Sequence, residues 1–141
     1  MVPVTTASSD LSAAGDGCGG ERWTLTARAS RGRLRTMVEV IEPGGHRWIA
    51  GSGGPALPTG RRAAMFLGRS GESARLLIVR VAADVRAVVA VMSDGSREDL
   101  RLYGDPAALG ARVAVLVHPG GLDMTSLRLI GADGSELPEE L

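Results

Sequence analysis

Polar and apolar residues alternate with period two along most of this chain. In Arg22–Ala29, Trp23, Leu25, Ala27 and Ala29 share one face, while Arg22, Thr24, Thr26 and Arg28 share the other. That is the pattern of a half-buried strand. Arg31-Gly32 reads as a turn, after which Leu34, Thr36, Val38 and Val40 alternate with Arg33, Arg35, Met37 and Glu39. Glu42-Pro43-Gly44-Gly45 is a second turn signal, and His46–Ala50 returns as a third strand. Residues 21–50 are therefore expected to form a three-stranded meander.

Residues 51–60 hold four Gly and two Pro and predict a loop or a crossover between sheets. Residues 61–67 and 74–81 read as strands paired around Gly68–Gly71. A Val-rich strand over 84–92 joins one over 97–103 through Ser93-Asp94-Gly95-Ser96, and Asp-Gly is a preferred tight hairpin dipeptide. A helical turn is expected at Pro106–Leu109. Strands follow over 111–118, with Val113, Val115 and Val117 inward, and over 125–130. No segment keeps a 3.6 period over ten residues. The expectation is an all-β sandwich of about nine or ten short antiparallel strands.

Residues 1–20 contrast with this. Thr5 to Gly20 is small and polar, with no apolar period and no secretory leader pattern, so it predicts a flexible tail ahead of one domain over 21–141. The missing leader favours a cytoplasmic location. The longest apolar run, Ala87–Met92, is far shorter than the ~20 residues of a membrane helix.

The turn chemistry of residues 84–137 carries a family likeness: Asp84-Val85 leads into Val88-Val89-Ala90-Val91, Asp94-Gly95 follows, and the last full strand closes on Asp133-Gly134. This stretch resembles the hairpin-rich β-sandwich domains of many uncharacterised actinobacterial proteins. The resemblance implies an immunoglobulin-like sandwich and brings no functional residues with it.

Composition agrees with a high-GC source, since all 16 basic residues are Arg and Lys, Asn and Gln are absent. Lysine-based Schiff-base and phosphate-loop chemistry is excluded. The formal net charge is zero but unevenly spread. Residues 21–81 hold 11 Arg against Glu21, Glu39, Glu42 and Glu72, whereas residues 82–141 hold five Arg against ten acids. The halves either neutralise each other within the fold or present a two-signed surface to a partner.

Catalytic and metal chemistry find little support. Cys18, His46 and His118 are too far apart for a close-paired zinc site. Cys18 sits among glycines, and Ser52 lacks the strand-to-helix context of a nucleophile elbow. No cofactor, no metal and no enzymatic activity are expected. Nucleic acid is disfavoured because the chain has only four aromatics, Trp23, Trp48, Phe66 and Tyr103, and stacking platforms need exposed ones. Some strands are apolar on both faces: Val85, Ala87, Val89 and Val91 alternate with Val88, Ala90 and Met92, and Met37, Ile41 and Ile49 fall on the arginine face. The expected role is a non-enzymatic binding or accessory module, or a subunit of a larger assembly, with a protein partner or a second copy; the alternatives are a phage or cell-surface structural protein and an arginine-driven nucleic-acid binder. The candidate partner-binding residues are Arg22, Arg28, Arg33, Arg35 and Met37.

Overall fold

The computed structural model describes residues 10–70 and 74–138. Eleven strands and one short helix are found among them: β1 (Asp10–Asp16), β2 (Arg22–Ser30), β3 (Arg33–Ile41), β4 (Arg47–Ser52), β5 (Ala63–Ser70), β6 (Ala74–Val81), β7 (Val85–Met92), β8 (Arg97–Leu100), α1 (Pro106–Leu109), β9 (Arg112–Pro119), β10 (Met124–Gly131) and β11 (Glu136–Leu137). All ladders are antiparallel. The first sheet runs β1-β2-β3-β4, the second β5-β6-β9 and the third β11-β10-β7-β8. The expected all-β antiparallel sandwich is what the chain forms. None of the helices among the described residues is long and apolar enough to cross a membrane.

The sandwich has three layers, and the second sheet is the middle one. One core holds Trp23, Leu25, Leu34, Val38 and Val40 of the first sheet against Leu76 and Ile78 of β6 and Val113, Val115 and Val117 of β9. The other holds Leu77, Val79, Val81, Ala114 and Leu116 against Val85, Val88, Ala90, Met92 and Leu129 of the third sheet. The near-continuous apolar runs of β6 and β9 follow from this position, because both faces of each strand lie against a neighbouring sheet. β9 was expected to bury Val113, Val115 and Val117, and it buries Ala114, Leu116 and His118 as well.

The tail expectation is corrected for residues 10–20; residues 1–9 lie outside the described residues. Asp10–Asp16 pairs along its whole length with β2, from Asp10 opposite Arg28 to Asp16 opposite Arg22. A period of two was present, but its inward residues are Leu11, Ala13 and Gly15, two of them too small to register as apolar. Small size is what the site needs: a Cβ on Gly15 would lie 2.8 Å from Trp23 Cε2. Beyond the strand, the Gly17 amide donates to the Glu21 carbonyl and the Cys18 amide to the Val117 carbonyl of the middle sheet.

Two boundaries moved for similar reasons. The strand expected over 97–103 ends at Leu100, because Tyr103 leaves the third sheet and bridges Val113 of β9. Residues 51 and 52 continue β4 rather than opening a loop. The helical turn at Pro106 forms as expected, with the Asp105 carboxylate accepting from the Ala107 amide and Gly110 ending the turn at φ 83°.

Candidate partner-binding face

The outer face of the first sheet can be read row by row from its register. Asp10, Arg28 and Arg35 stand side by side across β1, β2 and β3; the next row is Ser12, Thr26, Met37 and Gly51. Arg33 follows two positions from Arg35 on β3. Arg31 occupies the β2–β3 turn at φ 55°, the only non-glycine residue with positive φ among the described residues. With Gly32 at φ 76°, both turn residues are left-handed, as a two-residue hairpin that follows the strand twist requires. Asparagine would relieve the first position, and this chain has none. The strained turn instead holds a fourth arginine at the edge of the face.

These side chains border a shallow groove of about 770 Å³. Arg28, Arg31, Arg33 and Arg35 border it, Met37 and Ile49 supply apolar contact, and Gly51, Gly53 and Gly54 offer bare backbone. Ile49 is 58% exposed, one of two large apolar residues so placed among the described residues. A second groove of about 630 Å³ lies across the Arg28–Arg35 ridge.

Charge on this face is poorly compensated. Arg28 Nε pairs with Asp10 Oδ1 at 3.0 Å, between two well-exposed side chains. Arg31, Arg33 and Arg35 have no carboxylate within ion-pair distance among the described residues. Arg28 and Arg35 are direct cross-strand partners, an arrangement that disfavours the sheet. Internal neutralisation therefore does not account for this cluster.

Of the five residues read from the sequence, Arg28, Arg33, Arg35 and Met37 come together. Arg22 shares the face but sits opposite Ile41, six residues along β2 from Arg28, or roughly 20 Å at strand rise. Ile49, which the sequence places on the arginine face, also lines the groove; the sequence reading missed the glycine backbone, because strand pairing places it there.

Arg80 holds the groove from beneath. It is on β6, faces the first sheet and is 0% exposed. Its Nη2 donates to the Leu34 carbonyl at 3.0 Å and lies 3.1 Å from the hydroxyls of Thr36 and Ser52 and 3.2 Å from the Ser52 carbonyl. Its Nη1 donates to the Pro55 carbonyl at 3.0 Å. The guanidinium lies over the Phe66 ring, 4.6 Å from its centroid, and Nε has no partner. Burial pulls its pKa below the ordinary arginine value, yet arginine keeps its charge in proteins. Carbonyl and hydroxyl dipoles and a ring face, without a carboxylate, hold this cation and tie the 52–55 lip to the middle sheet.

Among the described residues, the two histidines have local partners of their own. His46 Nε2 lies 2.9 Å from Ser70 Oγ and 3.9 Å from Glu42 Oε2. Both contacts fall on one ring nitrogen, whereas a nucleophile–base–acid relay needs the acid on the other. His118 is buried, and its Nδ1 donates to the Pro119 carbonyl at 3.0 Å. No three His, Cys, Asp or Glu side chains converge as metal ligands among the described residues.

Cys18 is exposed, but its thiol is pushed up to about 11 by partial burial and then by Glu98, which also accepts its hydrogen bond. At pH 8 the thiolate fraction is then ~100-fold below that of an ordinary cysteine, partly offset by the greater nucleophilicity of a more basic thiolate. Alkylation by iodoacetamide is expected to run roughly 10-fold slower than for a free cysteine, with an inflection above pH 10 in the rate profile. An inflection near pH 8.5 would contradict both the partial burial of the thiol and its Glu98 contact. Glu98→Gln should move the inflection down only in part, since burial remains.

No family model matches the chain, and neither a curated protein nor a solved structure is detectably similar to it.

Proposed function

We propose that the protein is a non-enzymatic binding module that docks an extended acidic segment of a protein partner on the outer face of its first sheet. The observation that carries this reading is the set of unpaired arginines, Arg31, Arg33 and Arg35, around an open groove. Arg33, Arg35 and Met37 occupy alternate positions of β3, about 6.8 Å apart at strand rise. An extended partner repeats at the same pitch, so acidic, acidic and apolar residues at alternate positions would meet arginine, arginine and methionine in turn. Arginine forks suit carboxylates because two parallel donors fit two oxygens.

A nucleic-acid partner is the weaker reading, because none of the four aromatics lies on this face. Trp23 is in the core, and Trp48, Phe66 and Tyr103 pack against it. Phosphate tracking would then lack base stacking. A cytoplasmic location and kinship of residues 84–137 with immunoglobulin-like domains belong to the same proposal.

The test is fluorescence anisotropy with a peptide alternating Asp and Ser and ending in Leu, with a single-stranded oligonucleotide alongside. Changing Arg33 and Arg35 to Glu should weaken peptide binding at least ~100-fold, because like charges across an interface cost several kcal/mol. Stability should stay within about 0.5 kcal/mol, as for other exposed substitutions. Binding should also weaken with salt, since the Debye length is ~8 Å at physiological ionic strength. Unchanged peptide affinity in the double variant would end the proposal, and tighter binding of the oligonucleotide would favour the second reading.

A further inference from the structure

The third sheet carries a different face, at the far side of the molecule from the arginine groove. Its inward residues, Val85, Val88, Ala90 and Met92 of β7, are buried in the second core. The alternate residues Ala87, Val89 and Val91 point outward and remain half-buried, outside both cores, and Ile130 of β10 stands beside Ala87. This gives a central apolar strip along β7 on a face otherwise edged by charge.

The charges flanking the strip have opposite sign. Val89 is paired with Arg128 on β10 to one side and with Asp99 on β8 to the other. Two inter-strand spacings, about 9.6 Å, separate the flanking backbones. Neither Arg128 nor Asp99 has an ion-pair partner among the described residues. In the next row Val91 lies between Ser126 and Arg97.

We infer that this face pairs with a second copy of itself across a twofold axis lying close to β7. Rotation about such an axis turns one sheet onto the other with β10 facing the second copy's β8. Val89 then meets Val89, Val91 meets Val91, and each Arg128 meets the other copy's Asp99. Ser126 meets Arg97, offering its hydroxyl oxygen as an acceptor. An axis across the strands would instead set Arg128 on Arg128 and Asp99 on Asp99. Charge therefore selects one isologous geometry. The strands of this sheet are unequal, eight residues each in β7 and β10, four in β8 and two in β11, and cover roughly 350 Å² at ordinary sheet spacings. Two such faces bury on the order of 700 Å², below the range of stable interfaces, so the dimer should be weak, reversible and concentration-dependent.

Sedimentation velocity of the whole chain across about 1 to 500 µM tests this. The expected result is a shift from the monomer mass towards twice that mass. Arg128→Glu and Asp99→Arg should each raise the dissociation constant at least 10-fold without moving the melting temperature. The double variant should restore dimerisation, because it rebuilds the same pair with its polarity reversed. A monomer at all concentrations, single variants that dimerise normally, or a folded double variant that stays monomeric would each overturn the inference. Changing Arg33 and Arg35 to Glu should leave the dimer intact. If that change dissolves it, association runs through the first sheet and the inference fails, whereas loss of acidic-peptide binding alone bears only on the proposed function.

Discussion

Arg80→Ala is expected to destabilise the fold by about 3–5 kcal/mol, from the cavity its stem would leave and the buried acceptors it would strand. Wild-type domains of this size hold only about 5–15 kcal/mol in total. The substitution removes a stem that fills space between the first and middle sheets. It also strips a donor from the Leu34 and Pro55 carbonyls and from the linked Thr36 and Ser52 hydroxyls. Arg80→Met separates these contributions. Methionine keeps an unbranched stem and a favourable contact with an aromatic ring such as Phe66, and it eliminates a buried cation whose Nε is unpartnered. It still leaves the acceptors bare, at about 1–3 kcal/mol. The expected order of urea midpoints is wild type, then Met, then Ala. Because Arg80 ties Ser52 and Pro55 to the middle sheet, the Met variant should also bind an acidic peptide more weakly without any contact between residue 80 and the peptide. An Ala variant with the wild-type midpoint would show that the guanidinium is not the clamp its contacts describe.

Much of this architecture is written in short-range chemistry. Alternation in Arg22–Ala29 and Leu34–Val40 fixes which side chains face inward, and it puts the arginines of β2 and β3 on one outer face. Asp94-Gly95-Ser96 and Asp133-Gly134-Ser135 fix two hairpins by the same means. In each, the aspartate accepts from the hydroxyl of the serine two residues on, at 2.5 and 2.6 Å, and from its amide, at 2.9 and 3.0 Å, and these bonds, the hydroxyl's foremost, hold both carboxyls below the usual carboxylate range. What stayed hidden depends on partners distant in the chain. Alternation marks β7 as apolar on both faces, yet the strands buried on both faces are β6 and β9 of the middle layer, which pair across more than thirty residues, and no local pattern specifies that choice. Arg80 has an apolar neighbour on either side and gives no sign of the carbonyls that receive it. The groove is a juxtaposition of β3 arginines with the glycine backbone after Ile49, set by the Met37–Gly51 register. Arg22 was grouped with Arg28 because they share a face, whereas distance along the strand separates them.

The first strand is the clearest case of a sequence whose quietness misleads, and it sets the second large effect. Starting the chain at Gly17 instead of Asp10 should lower stability by at least about 2 kcal/mol. Leu11 and Ala13 pack against the first core, and returning a leucine to water alone costs roughly 1.5–3 kcal/mol when its burial is complete. The loss also uncovers one edge of β2 along seven paired residues, beside Trp23, Leu25 and Ala27. For a domain of this length the melting temperature should fall by about 5–15 °C, given several degrees per kcal/mol. Comparing chains that begin at residue 10 and at residue 17 confines the effect to β1. Gly15→Val in the full chain asks the same question at one position. Its Cβ would press on the Trp23 indole, 2.8 Å from Cε2, and that ring is 5% exposed and has core residues behind it. Overpacking of this kind costs about 1–3 kcal/mol. Gly15→Val should therefore lie between the wild-type chain and the shortened one, and it should quench or shift Trp23 fluorescence in the native state. If instead the shortened chain melts within a degree or two of its parent, β1 contributes no net stability, and residues 10–16 behave as the tail that their composition suggests.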